Sequence, residues 1–215
     1  MDEFLNYPKI ETLYDRGEGF IVDTNKLRKS VYSTISQWDI TEKIDGMNIR
    51  VMIDVDGKVR FGGRSNSAQL PTDLYQFLYE KFSSENMRKI WLNGDPTRII
   101  LFGEGYGAGI QKGGGYRKDK AVLLFDVLVA DKWWLDWDNV CNVAEKLEVG
   151  TVPYIGRGDI DFITEMVQGG FPSLVPNATC MAEGVVAKPI ETLFDKNGDR
   201  LIIKLKTKDF KKGVY

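Results

Sequence analysis

The sequence of 215 residues contains no histidine. That absence removes a Ser-His-Asp triad, a Cys-His pair, histidine-ligated zinc and histidine acid–base chemistry. Any catalysis must use Lys, Arg, carboxylates and a hard metal ion. The two cysteines, Cys141 and Cys180, have no metal-binding spacing and form no disulfide framework, which fits reduced thiols in the cytoplasm. No apolar run reaches the roughly 18 residues of a membrane span. The N-terminal MDEFLNYPKI is acidic and mixed, unlike a secretory leader. A G-K-[ST] phosphate loop is also missing, although Phe102 to Tyr116 is rich in glycine. The net charge of −2 lacks the basic excess of many nucleic-acid-binding domains, whose pI often exceeds about 9. A local basic patch still serves, because phosphate contacts depend on the nearby field.

What is present fits one α+β domain. With 43% hydrophobic and 12% aromatic residues, the chain has enough apolar material for a sizeable core. Alternation over Ile49–Val55, a turn at Asp56-Gly57 and a second run over Lys58–Phe61 predict a β-hairpin. A second hairpin is expected from Thr192–Lys196 through Asn197-Gly198 to Arg200–Lys206. Helical spacing runs from Pro71 to Trp91, from Asp136 to Leu147, and from Asp159 to Gln168 before Gly169-Gly170. Arg98–Phe102 and Ala121–Ala130 read as buried strands. Hairpin connections imply largely antiparallel sheets.

Charged or aromatic groups recur at or near strand ends. Lys43-Ile-Asp-Gly46 lies between two strands, Phe61-Gly-Gly-Arg64-Ser65 follows the hairpin, and Glu104 ends a strand. Phe125-Asp126 lies within another, Glu183-Gly-Val-Val-Ala-Lys188 opens a third, and Lys204-Leu-Lys206 closes the last. Taken singly, each has a structural explanation: Phe125 as core, Lys204 and Lys206 as a solvated strand face, Asp45 as a turn cap. Five motifs in this order carry more weight than any one of them.

In that order they resemble the covalent nucleotidyltransferase superfamily of polynucleotide ligases and capping enzymes, whose signature begins with K-x-D-G and ends with E-G-x-V and K-x-K. The closest likeness is to the phage and kinetoplastid-editing type of RNA ligase, because of Glu42, Asn48, Phe102-Gly-Glu104, Gly109-Ile-Gln, Tyr116 and Phe125-Asp126. The resemblance covers Tyr7 to Lys206. It implies an adenylyltransferase domain (ATP-grasp-like) of two largely antiparallel sheets flanked by helices, with the active site in the cleft between them. Ligases of this superfamily usually follow K-x-K with an OB or helical domain; here a single nucleotidyltransferase domain over residues 1–215 is expected, a departure from that pattern.

The roles it implies are specific. Lys43 attacks the α-phosphorus of ATP, while Lys204, Lys206 and Mg²⁺ (or Mn²⁺) neutralise the triphosphate. A free lysine side chain, with its pKa near 10.4, needs such surroundings to become a nucleophile. Glu183 is the metal carboxylate, since Mg²⁺ takes one or two such ligands plus waters. Arg64 and Glu104 contact the ribose or the acceptor phosphate, Phe125 stacks on adenine, Glu42 meets its exocyclic amine, and Asn48 serves the sealing step. The implied substrates are 5′-phosphate and 3′-OH ends of RNA, DNA or a hybrid nick, joined in the cytoplasm (host cytoplasm for a phage-encoded enzyme). A DNA ligase, a capping guanylyltransferase and a nucleotide- or end-binding module without turnover are the alternatives. The basic stretch Lys204–Lys212, with Arg117, Lys118 and Lys120, is a candidate phosphate-tracking surface.

Overall fold

The computed structural model describes residues 5–211, so the N-terminal Met1–Phe4 and the basic Lys212 lie outside the described residues. The described residues form two compact units: residues 5–7 with 46–152, and residues 8–45 with 153–211. Each has its own apolar core.

The first unit is built on a six-stranded sheet. Its strands run in the order Gly150–Thr151, Ala121–Val129, Ile99–Tyr106, Met47–Ile53, Val59–Gly62, and Trp133–Trp134 pairs with Ala121–Val129. Pairing is antiparallel except between Gly150–Thr151 and Ala121–Val129. Alternation sends Ile49, Val51 and Ile53 to one face, where they pack with Leu74, Leu78, Val140 and Val143 of two helices. The hairpin predicted at Asp56-Gly57 is present, and Gly57 supplies the positive φ of 79° its turn needs.

The continuous helix expected over 71–91 is two helices, Thr72–Lys81 and Ser84–Arg88. The break has a local cause, because the Ser83 hydroxyl accepts from Asn86 N at 3.3 Å and caps a new helix. The helix expected over 136–147 is Trp137–Lys146, started by Asp136 accepting from Asn139 N.

The second unit holds a five-stranded sheet in the order Glu11–Thr12, Ile203–Lys206, Gly184–Pro189, Trp38–Lys43, Tyr154–Gly158. Only Glu11–Thr12 runs parallel to its neighbour. The helix Ile160–Gly169, capped by Asp159, adds Ile163 and Val167 to a core with Trp38, Ile40, Val185 and Leu205. A separate pair of strands joins Tyr14–Arg16 to Val22–Leu27. The hairpin expected over 192–206 shrinks to one bridge, Phe194 with Arg200. Its second arm pairs instead with Gly184–Pro189, where Leu205 and Ile203 are buried. Among the described residues no helix is long and apolar enough to cross a membrane.

Candidate active site

Lys43 is the last residue of the Trp38–Lys43 strand, directly opposite Gly184, which is in turn opposite Lys206. Glu183 immediately precedes Gly184, and its carboxylate bridges both lysines. Lys43 Nζ donates to Oε2 at 2.6 Å and Lys206 Nζ to Oε1 at 2.5 Å. All three side chains are 16–22% exposed, so the charges are partly withdrawn from water yet reachable. Burial works to raise the pKa of Glu183, but the two ammoniums outweigh it and hold the carboxyl below its usual range.

Gly184 makes this approach possible. Its φ is 151°, and a Cβ there would lie 2.1 Å from Leu205 O and 2.7 Å from the Lys206 Cα. Lys206 is fixed in turn: its backbone N–H donates to Asp209, a buried carboxylate that also pairs with Arg16 at 2.7 Å. Thr207 N donates to Glu183 O at 3.0 Å, tying the two motif ends together.

Sheet register extends the row. Lys204 is opposite Val186, which is opposite Thr41, and Lys188 is opposite Asp39. Residues directly opposite share a face, so Lys43, Lys188, Lys204 and Lys206 all line one side of this sheet. Sequence reasoning gave Lys188 no role, although the period-two spacing from Gly184 to Lys188 carried the signal. Alternation sends Glu42 to the other side, that of Trp38 and Ile40. There it is 1% exposed, and its Oε2 accepts from Leu174 N at 2.7 Å.

In the first unit, Asn48 is directly opposite Glu104 in the antiparallel pair. Glu104 sits inside its strand, Ile99–Tyr106, rather than at the end. Both side chains leave the sheet on the face away from the two helices. Gly46 belongs to this arrangement, since a Cβ there would lie 2.9 Å from the Glu104 Cγ and 2.3 Å from Gly105 O. Asn48 Oδ1 is buried without a hydrogen-bond partner. Phe125 occupies a β-bulge: the register jumps from Phe102 opposite Asp126 to Gly103 opposite Leu124. A bulge turns a side chain out of the regular alternation. Phe125 is partly buried, with its ring 5.0 Å from that of Tyr7 at 78°. Tyr7 in turn donates to the buried Asp126.

Arg64 is exposed in the segment after Val59–Gly62. The residue holding that segment is one sequence reasoning missed, the fully buried Arg50. Its guanidinium donates to Gly63 O at 2.6 Å, Asn66 Oδ1 at 3.0 Å, Leu5 O at 3.1 Å and Asn6 Oδ1 at 2.9 Å. The Lys120 ammonium contacts Ala108 O in the glycine-rich segment and pairs with Asp73 at 3.0 Å. No group of three or more His, Cys, Asp or Glu residues able to hold a metal occurs among the described residues. Glu183 offers a single carboxylate, and a hard cation held through it would complete its shell with water and phosphate oxygens.

The mixed α+β architecture and its paired sheets are those of the nucleotidyltransferase fold of RNA ligases. Solved structures of an RNA ligase from Naegleria gruberi share it. One variant with ATP and manganese matches with a TM-score of 0.64 at 20% identity, covering 93% of this chain and 62% of that one. The ligase with pyrophosphate matches at 0.64 and 20% over 96% and 61%, and a variant with AMP and manganese at 0.64 and 20% over 93% and 61%. The chain thus spans about three fifths of the length of these relatives. The RNA ligase family model matches residues 36–206, and the chain belongs to that family.

Proposed function

We propose that the protein is an ATP-dependent RNA ligase that joins 3′-OH and 5′-phosphate ends in three nucleotidyl-transfer steps. The observation that carries this reading is the bridge from Glu183 to Lys43 and Lys206. A lysine amine, a carboxylate and a second cation meet at one strand end without any histidine.

In the first step Lys43 Nζ, having lost its proton, attacks the α-phosphorus of ATP. A P–N bond forms, the bond to the β-phosphate oxygen breaks, and pyrophosphate leaves. Lys206 and Lys204 neutralise the phosphate oxygens as negative charge builds on them. Glu183 would hold Mg²⁺ or Mn²⁺, and such an ion supplies Lewis-acid polarisation of phosphate oxygens. In the second step AMP passes from Lys43 to the 5′-phosphate of the strand, and the lysine amine is regenerated. In the third the 3′-OH attacks that phosphate and AMP departs, with Asn48 positioned for sealing. Phe125 stacks on adenine, Glu42 accepts from its exocyclic amine, and Arg64 and Glu104 contact the ribose or the acceptor phosphate. On this reading both units serve one nucleotidyltransferase domain that acts in the cytoplasm.

A panel of nicked RNA, DNA and hybrid duplexes with 5′-phosphate and 3′-OH ends tests the substrate. Joining with RNA at the 3′-OH side supports the proposal. Sealing of an all-DNA nick alone replaces it with a DNA ligase, and covalent labelling by GTP alone replaces it with a capping enzyme.

A further inference from the structure

We propose that the loop from Phe171 to Ala182 sets base selectivity by locking Glu42 in one orientation, so that the site takes a 6-aminopurine and rejects a 6-oxopurine. The inference rests on the assignment of Glu42 as the residue that reads the base. It adds the loop's role, which follows from contacts made far along the chain.

Glu42 is nearly inaccessible, at 1% exposure, and its two oxygens are treated differently. Oε2 accepts from the backbone N–H of Leu174 at 2.7 Å, while Oε1 is buried with no hydrogen-bond partner. A buried acceptor left unsatisfied is destabilising. An orphan of that kind marks a place kept for a donor that arrives with a ligand.

The donor that fixes Oε2 is itself held. Pro172 and Met181 form an antiparallel bridge, Ser173 N donates to Cys180 O at 3.0 Å, and Ala182 N donates to Phe171 O at 2.9 Å. These bonds close the loop on itself and keep the Leu174 N–H aimed at the strand. With Oε2 engaged, Oε1 is the oxygen left for a donor that arrives with a base, and an ionised carboxylate accepts but cannot donate. The amino group at C6 of adenine satisfies it. The carbonyl at C6 of guanine places a second acceptor against it, leaving both unpaired. Discrimination through a hydrogen-bonded group of this type is strong when the group cannot turn away. Without the loop, the carboxylate rotates and the penalty falls.

The test is the initial rate of covalent protein labelling with ATP and with GTP in three variants, each with its thermal melting curve. Leu174→Pro removes the backbone N–H at a residue that is itself 52% exposed. It is expected to raise KM for ATP about tenfold or more with kcat within about threefold, and to shrink the ATP-over-GTP preference by a similar factor. Ser173→Ala removes a hydroxyl that hydrogen-bonds the Glu42 carboxyl and leaves the backbone intact, so it remains informative where Leu174→Pro lowers the melting point; it is expected to shrink the preference about threefold. Wild-type ATP-over-GTP preference in a folded Leu174→Pro, or in Ser173→Ala where Leu174→Pro does not fold, overturns the loop's role. Glu42→Gln separates this from the assignment beneath it. If that variant keeps the full ATP preference, Glu42 does not read the base. If it loses the preference while the loop variants keep it, only the loop's role fails.

Discussion

Lys43 donates to Glu183 at 2.6 Å, and the same carboxylate takes Lys206 on its other oxygen. Glu183 therefore bridges two cations that flank Gly184 and neutralises part of their mutual repulsion. Replacing Glu183 by Gln removes the charge while keeping the shape. Adenylylation is expected to fall by about 100-fold or more, because metal ligation and lysine positioning are lost together. Stability at neutral pH is expected to fall by about 1–3 kcal/mol as two partly buried ammoniums lose their counterion.

The same residue gives a signed pH dependence. Its folded pKa is held below the ordinary glutamate value, so the ionised form binds its partners only in the native state. The contribution is present above about pH 4.3, the unfolded value, and is lost as pH falls through the lower folded value. Denaturant melts of wild type are expected to weaken over that acid window. Melts of Glu183→Gln are expected to show a shallower acid limb, and parallel limbs would contradict the assignment.

On the alkaline side Tyr32 gives the opposite sign. Burial, reinforced by Glu11 and Asp195, pushes its phenol up to about 12. The folded value is raised, so its contribution is present below about pH 10 and is lost as pH rises toward the folded value. Tyr32→Phe is expected to retain about 1 kcal/mol more of its neutral-pH stability than wild type does at pH 11, measured by urea midpoints.

Gly184 is the backbone hinge of the site, and Gly184→Ala tests that directly. A Cβ at φ 151° would meet Leu205 O at 2.1 Å, so the strand pair must separate. A loss of about 2–4 kcal/mol in stability is expected, together with loss of labelling. Thermal melting checks the first and autoradiography the second.

Much of this was legible in the primary structure where period and position suffice. The stretches Glu183–Lys188 and Arg200–Lys206 read as strands, and the K-x-D-G and E-G-x-V motifs put Lys43 at a junction of two strands and Glu183 at the start of another. Both motif glycines now have a reason, since a Cβ at Gly46 or Gly184 meets backbone at 2.3 or 2.1 Å. What was not legible depends on long-range contact. The bulge that turns Phe125 out of alternation exists only through its pairing with Phe102 and Gly103. Arg50 read as one polar member of an alternating strand, although its four acceptors come from residues 5–6 and 63–66. The bond from Leu174 to Glu42 spans 132 residues.

The assignment of Lys43 as nucleophile is tested most directly by incubating the protein with Mg²⁺ and ATP labelled at the α-phosphate, then resolving it under denaturing conditions. Wild type is expected to carry acid-labile label, as a phosphoramidate does, and Lys43→Ala and Lys43→Arg to carry none. Label that persists in Lys43→Ala, or none in the wild type, would contradict the account.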